Sequence, residues 1–560
     1  MNRLTSTLAL LILSSAISVA AEPERLIHRW EHEPDLGSTW LIPPNLPTPV
    51  LQPARFASPQ RAIQLAEAQL AIRYARDPAL QGQEAALPVL LEQLKTKPEN
   101  QAVRVSLAAA AIALSEADKA ELLWERLRND DATRRLIERA LISWKSPLAL
   151  EIWRARVSEM SADQTELLLA IEGLGAMGDT TDRAALEALL RADRSPVAIK
   201  LVVVRALAQV SPGGLEDLAQ EILVARIEQR ELLAAELLSR HSTDTARDIL
   251  QSILQSDSLP AQFVAYAAVA DNFPQLAREL APQMLSRPDN NLRLKACEVF
   301  DREDDVDSLR QLATGIADIN LQIRNTVREQ LLRKAEQAEL RPVVDEVINY
   351  QLTSGSHQGI EQSILMAVAL AEHDRASQLL PLLQHPRPET TMYAAWGLQE
   401  LANTPEIAEA IFEFTQPVTE RLSTGQDVEL LHLLRQSFLF EALGRNQFQP
   451  AAEMLKIYVP KNGHKMGDMA RASAIWALGK ILQGSQDEDL AKQLAQRMHD
   501  ESITDPEDEL VRYNATIALG WIGAPSSPEE LQRVPYTPPS PLGLASQWSL
   551  EQFAGSSSSN

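Results

Sequence analysis

A chain of 560 residues with 53 Lys and Arg against 76 Asp and Glu carries a formal charge of −23. Such a surface repels polyphosphate, and no basic run of the length needed for non-specific binding occurs, so nucleic acid is excluded as the expected ligand. Apolar residues make up 45% but aromatics only 5%, with 21 Gly and 33 Pro; this describes many short Ala- and Leu-rich helices stopped by proline, over a length far beyond one compact core.

Residues 1–20 read as a secretory signal. Arg3 is the positive n-region, Leu4 to Val19 the apolar h-region, and Ser18-Val19-Ala20 places small residues at −3 and −1. The apolar run is short for a span of roughly 20 residues, so cleavage after Ala20 is expected, with Ala21 the neighbouring option. No Cys follows to take a lipid. The expected location is the periplasm of a two-membrane bacterium, or the exterior for any other cell. No later segment is long and apolar enough to cross a membrane.

Residues 21–57 form a Pro-rich extended arm. Pro43, Pro44, Pro47, Pro49 and Pro53 preclude a continuous helix, while Trp30 and Trp40 suit partial docking. Within it, His28-Arg29-Trp30-Glu31-His32 matches H-x-x-E-H. On a helix, His28 and His32 would share a face and could bind zinc, with Glu31 as base. No folded element precedes the motif, and Glu33-Pro34 ends any helix there. A zinc-dependent hydrolase built on His28 and His32 is therefore kept only as the alternative, and no metal or other cofactor is expected.

From residue 58 to 389 apolar residues recur every three or four positions, with Pro, Gly, Asp or Asn between blocks. Ala62–Arg76, Val103–Leu114, Leu167–Met177, Ile199–Val210, Leu232–Leu238, Phe263–Ala270 and Ile364–Ala371 are such blocks, each followed by a shorter amphipathic one. Leu201-Val202-Val203-Val204 is β-branched but sits in a helical frame and reads as buried helix. Cys297, the one cysteine, lies in a helical pattern and is expected as a small buried apolar residue. The run Asp301–Asp307 reads as a solvated turn. His241, His357, His373, His385, His432, His464 and His499 are scattered and read as capping or solvated.

Between 390 and 533 the repeat becomes explicit. Met469-Ala470-Arg471-Ala472-Ser473-Ala474-Ile475-Trp476-Ala477-Leu478-Gly479-Lys480-Ile481 runs in register with Leu510-Val511-Arg512-Tyr513-Asn514-Ala515-Thr516-Ile517-Ala518-Leu519-Gly520-Trp521-Ile522. Further copies are Tyr393-Ala394-Ala395-Trp396-Gly397-Leu398 and Phe440-Glu441-Ala442-Leu443-Gly444. Small residues would let the two helices of a pair approach closely. Leu and Ile would fill the interface with the next pair, and Arg471 would reach an acid of a neighbouring repeat. Asp505-Pro506-Glu507-Asp508 supplies a helix start, with Asp as cap and Pro in the first turn. Trp396, Trp476 and Trp521 read as core. After Arg533, residues 534–560 form a Pro/Ser-rich tail in which Trp548, Leu550 and Phe553 either cap the last repeat or dock elsewhere.

Over 390–523 these copies resemble the HEAT-repeat family, including the subgroup seen in bilin-lyase-type proteins. Over 60–390 the helix-pair rhythm of about 30 to 40 residues fits a tetratricopeptide-like or mixed α-α solenoid equally well. The resemblance implies an all-α, right-handed α-α superhelix, a HEAT-like solenoid of about fourteen helix pairs. Short second helices, such as Pro405–Thr415, would line its concave face, making Phe412 and Phe414 candidate partner anchors. HEAT-like enzymes of the di-iron type carry His-Glu dipeptides on their repeats; here the one such pair, His32-Glu33, lies outside them. The expected function is an exported, non-catalytic scaffold or adaptor for a protein or peptide, with a small-ligand or glycan carrier as the further alternative.

Overall fold

A computed structural model of the chain describes residues 87–95, 101–161, 163–192, 195–426, 428, 430–461, 466–534 and 541–557. The expected signal at 1–20 and arm at 21–57, with His28 and His32, lie outside the described residues. Those residues form 28 α-helices, short 3-10 turns and no strand. The helices divide evenly into fourteen successive pairs. Two compact units are distinguished, Pro47–Phe300 and Asp301–Asn560.

The first unit comprises α1 (Leu87–Lys95), α2 (Gln101–Ala113), α3 (Ala120–Leu127), α4 (Asp131–Ser143), α5 (Leu150–Ser158), α6 (Gln164–Met177) and α7 (Arg183–Arg191), then α8 (Val197–Val210), α9 (Glu216–Val224), α10 (Arg230–Leu237), α11 (Asp244–Ile253), α12 (Leu259–Asn272), α13 (Pro274–Leu285) and α14 (Asn290–Asp301). The second comprises α15 (Val306–Ala313), α16 (Leu321–Lys334), α17 (Arg341–Ser354), α18 (His357–Ala369), α19 (Ala376–Leu379), α20 (Pro388–Leu401) and α21 (Pro405–Ser423), then α22 (Leu430–Arg445), α23 (Ala452–Lys456), α24 (Asp468–Ile481), α25 (Glu488–Met498), α26 (Glu509–Ile522), α27 (Ser527–Gln532) and α28 (Pro541–Ser557).

Each unit is an α-α solenoid of two layers. Even-numbered helices stack on one another: α6 on α8 and α8 on α10 in the first unit, α20 on α22, α22 on α24, α24 on α26 and α26 on α28 in the second. Odd-numbered helices pack on the even layer from one side. The sequence encodes the difference. α24 and α26 are apolar nearly all round, because neighbours cover them on several sides. α21 is amphipathic: Ala408, Ile411, Thr415, Thr419 and Leu422 are buried and its other face is exposed. The β-branched run sits inside α8, with Val203 and Val204 buried, and Cys297 is buried in α14.

Three of the four repeat glycines, Gly444, Gly479 and Gly520, act between repeats, which corrects for them the expectation that they draw the helices of one pair together. A Cβ on Gly444 would stand 2.7 Å from Ala477 Cα, one on Gly479 2.9 Å from Ala518 Cα, and one on Gly520 2.9 Å from Ser549 Cα. Each faces the next even helix. Gly175 does the same toward Ala206 in the first unit, at 2.9 Å. Stacking brings even helices backbone to backbone, so the missing side chain is needed there; Gly397 and Gly173 instead face the odd layer, where an added Cβ would meet Leu379, at 2.7 Å, and the Trp153 ring.

Three further expectations are corrected. Asp508, not Asp505, caps α26, accepting from Leu510 N at 2.9 Å, and Pro506 precedes the helix. The shift follows from Glu507, which is held inside by Arg471 and Arg497. α21 does not stop at Thr415 but continues through Pro417 to Ser423. Around the proline, Thr415 Oγ1 donates to Phe412 O at 2.9 Å, and Gln436 Nε2 to Thr415 O at 3.2 Å. The region after Arg533 contains a helix, α28, that lies on α26; Ser549 Oγ donates to Thr516 O at 2.9 Å, and the Trp548 ring meets Trp521 edge-on at 5.7 Å.

The run 301–307 is also more than a solvated turn. Asp305 caps α15 through Ser308 N, Asp304 pairs with Lys334 at 2.5 Å, and Asp301 with Arg333. Among the described histidines, His241 departs from the capping or solvated role. It is fully buried, and neither ring nitrogen has a hydrogen-bond partner.

Candidate partner-binding surface

α21 and α22 hold the residues singled out from sequence. α21 begins with Thr404 as cap, accepting from Ile407 N, and Pro405 at its first position. Phe412 and Phe414 are two residues apart, so they diverge around the helix. Phe412 is half-buried, its ring 5.8 Å from that of Phe448. Phe414, also half-buried, lies beneath the Arg435 guanidinium, 4.8 Å from carbon to ring centroid. The structure therefore brings each ring to a different intramolecular neighbour and not to one shared exposed anchor.

Arg435 is an unusual cation. It is 8% exposed, and among the described residues no carboxylate pairs with it. Nη1 donates to Leu383 O at 3.0 Å, Nη2 bonds His432 Nδ1 at 2.6 Å, and Nε has no acceptor. Burial pulls its pKa below the ordinary arginine value. Beside it, Tyr458 is enclosed by the Thr419 hydroxyl at 2.9 Å and Gln436 Oε1 at 3.1 Å, and burial pushes its phenol up to about 12. This cluster ties α21, α22 and the segment after α23 together with neutral hydrogen bonds.

The outward face of α21 is charged. Glu406, Glu409, Glu413 and Glu420 are all exposed, with Gln416 between the last two. Their alternating three- and four-residue spacing puts them on one stripe. Among the described residues, no Lys, Arg or His pairs with any of the four. Elsewhere a number of acids are held by a base about one repeat away: Arg134 with Glu166 at 2.8 Å, Arg205 with Glu236 at 2.5 Å, His499 with Glu530 at 3.2 Å. The stripe is set apart by four such carboxylates falling on one exposed helix face. Sequence reasoning missed it by ending the helix at Thr415; the glutamate spacing itself was readable.

A second concavity, about 650 Å³, is lined by Arg341, Asp345, Glu372, His373, Arg375 and Asn403 among others. Its charges neutralise one another. Arg341 bonds Asp345 at 2.8 Å and also Glu372, and Arg375 bonds Glu372. His373 Nδ1 lies 3.0 Å from Leu401 O. These groups form an inter-repeat ion-pair network, so the arginines here are already held by carboxylates. Among the described residues no group of His, Cys, Asp or Glu could hold a metal ion, and no helix is long and apolar enough to cross a membrane.

No family model matches the sequence, and no curated protein does. Solved structures similar to the chain include Kap95p with RanGDP, at 13% identity over 90% of this chain and 73% of that one, TM-score 0.46. Importin beta is similar at 12% identity over 90% and 72%, TM-score 0.44. An engineered protein is similar at 15% identity over 90% and 98%, TM-score 0.20. The HEAT-like character of the chain stands on its own register: paired helices, an even-helix layer spaced by glycine, and acid–base pairs one repeat apart.

Proposed function

We propose that the chain is a non-catalytic scaffold that holds a protein or peptide partner on the odd-helix side of its second unit. The observation that carries this reading is the unpaired carboxylate stripe Glu406, Glu409, Glu413 and Glu420 on a helix covered on one side only. A repeat stack is stabilised between neighbours and leaves a long side free for contacts. Where one helix of that side concentrates uncompensated negative charge, a segment rich in Lys or Arg is the complementary partner, and the pairing sets specificity and on-rate. Arg3 and the apolar run Leu4 to Val19 support a setting outside the cytoplasm, in the periplasm where the cell has two membranes.

The test uses the tagged full chain and a double charge-reversal variant, Glu409→Lys with Glu413→Lys, each captured from cross-linked envelope extract. The reading expects one or two basic proteins retained by the native chain, released by raised salt and absent from the variant. Identical retention by both chains, insensitive to salt, overturns it. The N-terminus of the purified protein tests the export reading: it begins at Ala21 or Glu22 if the signal is removed, and at Met1 if it is not.

A further inference from the structure

In the first unit, α7, α8 and α9 enclose a cleft of about 450 Å³. Leu190, Leu218 and Ile222, all buried, give it an apolar wall. Val197 and Ser195, at the start of α8, line it too, as do Arg191, Lys200, Glu221, Arg226 and Glu228. Arg191 is occupied by Glu187 at 3.0 Å and Glu221 at 3.3 Å. Arg226 and Glu228 are exposed at the rim.

Lys200 is the anomaly. It is 7% exposed, and among the described residues no carboxylate or carbonyl takes its ammonium. It sits in the first turn of α8, where the N-cap is Pro196 and no side chain caps the helix. Its side chain is enclosed, and its ammonium, with no anion beside it, favours one that enters the cleft. A cation in a helix's first turn adds to the positive end of the macrodipole instead of opposing it. Two positive features, one side chain and one backbone, therefore converge on a cleft whose wall is aliphatic.

We infer that this cleft binds a carboxylate carried on an aliphatic stem. The carboxylate would sit between the Lys200 ammonium and the first-turn N–H groups of α8, with Arg226 at the mouth. The stem would lie on Leu190, Leu218 and Ile222. The volume is that of a small-ligand site. Two sources carry this chemistry: a short aliphatic acid, and the free C-terminus of a peptide ending in Leu or Ile. The site is separate from the α21 stripe and stands or falls without it.

Hexanoate and N-acetyl-alanyl-leucine are titrated into the purified full chain by calorimetry, beside hexanamide and the C-terminally amidated dipeptide. The inference expects at least one acid to bind and its amide to bind at least tenfold more weakly. The tighter acid identifies the source. Lys200→Met keeps the stem and removes the charge, and is expected to abolish the preference for acid over amide. On the unaltered chain, the bound acid is expected to slow acetylation of Lys200, read by mass spectrometry, which needs no variant to fold. Acids that do not bind, acids no better than amides, or an acid preference that survives Lys200→Met each overturn the inference.

Discussion

Arg471 of α24 and Glu507, which precedes α26, face each other inside the second unit and form a two-pronged bond, Nη1 to Oε1 at 2.6 Å and Nη2 to Oε2 at 2.8 Å. Both are almost fully buried, at 1% and 3% exposed. Arg471 also donates to the carbonyls of Tyr458 and Val459, and Arg497 reaches Glu507 Oε2 at 3.2 Å. One guanidinium thus ties the segment after α23, α24 itself and the start of α26. Removing one partner strands a buried charge, so Glu507→Gln is expected to cost about 3–5 kcal/mol, read as a lower denaturation midpoint. The double variant Arg471→Met with Glu507→Leu is expected to recover much of that loss.

The same pair sets an acid limit. Burial raises the Glu507 carboxyl, but the Arg471 bonds and charge outweigh it and hold the pKa below the ordinary value of 4.5. With the folded value depressed, the stabilisation is complete above pH 4.5 and is lost as pH falls through the lowered value. Unfolding midpoints between pH 3 and 7 should show this loss in the native chain and not in the double variant.

His241 acts in a higher window. Burial pulls its pKa below 6.5, with Glu216 opposing and Arg183 reinforcing the shift. A depressed histidine contributes stability present above pH 6.5 and lost as pH falls through its folded value. One ring N–H is buried without an acceptor, an arrangement costing about 1–3 kcal/mol. His241→Leu is therefore expected to leave the first unit at least as stable at pH 7 and to flatten its stability below pH 6.5. A steeper acid loss in the variant would contradict the assignment.

Gly479 tests the even-helix layer. A methyl there meets the Ala518 backbone and the Trp521 ring, at 2.9 and 2.7 Å, so Gly479→Ala is expected to destabilise by about 1–3 kcal/mol. Gly213, whose added Cβ meets nothing within 4 Å, is the control, and Gly213→Ala should change stability little.

How far the sequence foretold this molecule depends on which neighbours a residue meets. The Ala-Leu-Gly triplets and the arginines of the two long copies, Arg471 and Arg512, were legible because their spacing is periodic, and Arg471 found its acid in the neighbouring repeat as expected. Gly444, Gly479 and Gly520 were placed against the wrong helix, since a period does not say which of two layers packs closer at a given position. α21 was cut short at Thr415, whereas packing of Thr415, Thr419 and Leu422 carries the helix through Pro417 to Ser423. α28 was read as tail because its helical pattern follows Pro538, Pro539 and Pro541. Arg435 and Lys200 could not be flagged at all, because an unpaired charge is defined by the partners that folding fails to bring.

The scaffold reading is tested most directly by site-specific photo-cross-linking in intact cells, from a photoreactive residue at Gln416 on α21 and, separately, at Gly213 in the other unit. The account predicts a discrete protein adduct from position 416, none of the same mass from 213, and loss of the adduct when Glu409→Lys and Glu413→Lys are added. No adduct from 416 in a normally expressed chain, or the same adducts from both positions, would contradict a partner-binding role for this surface.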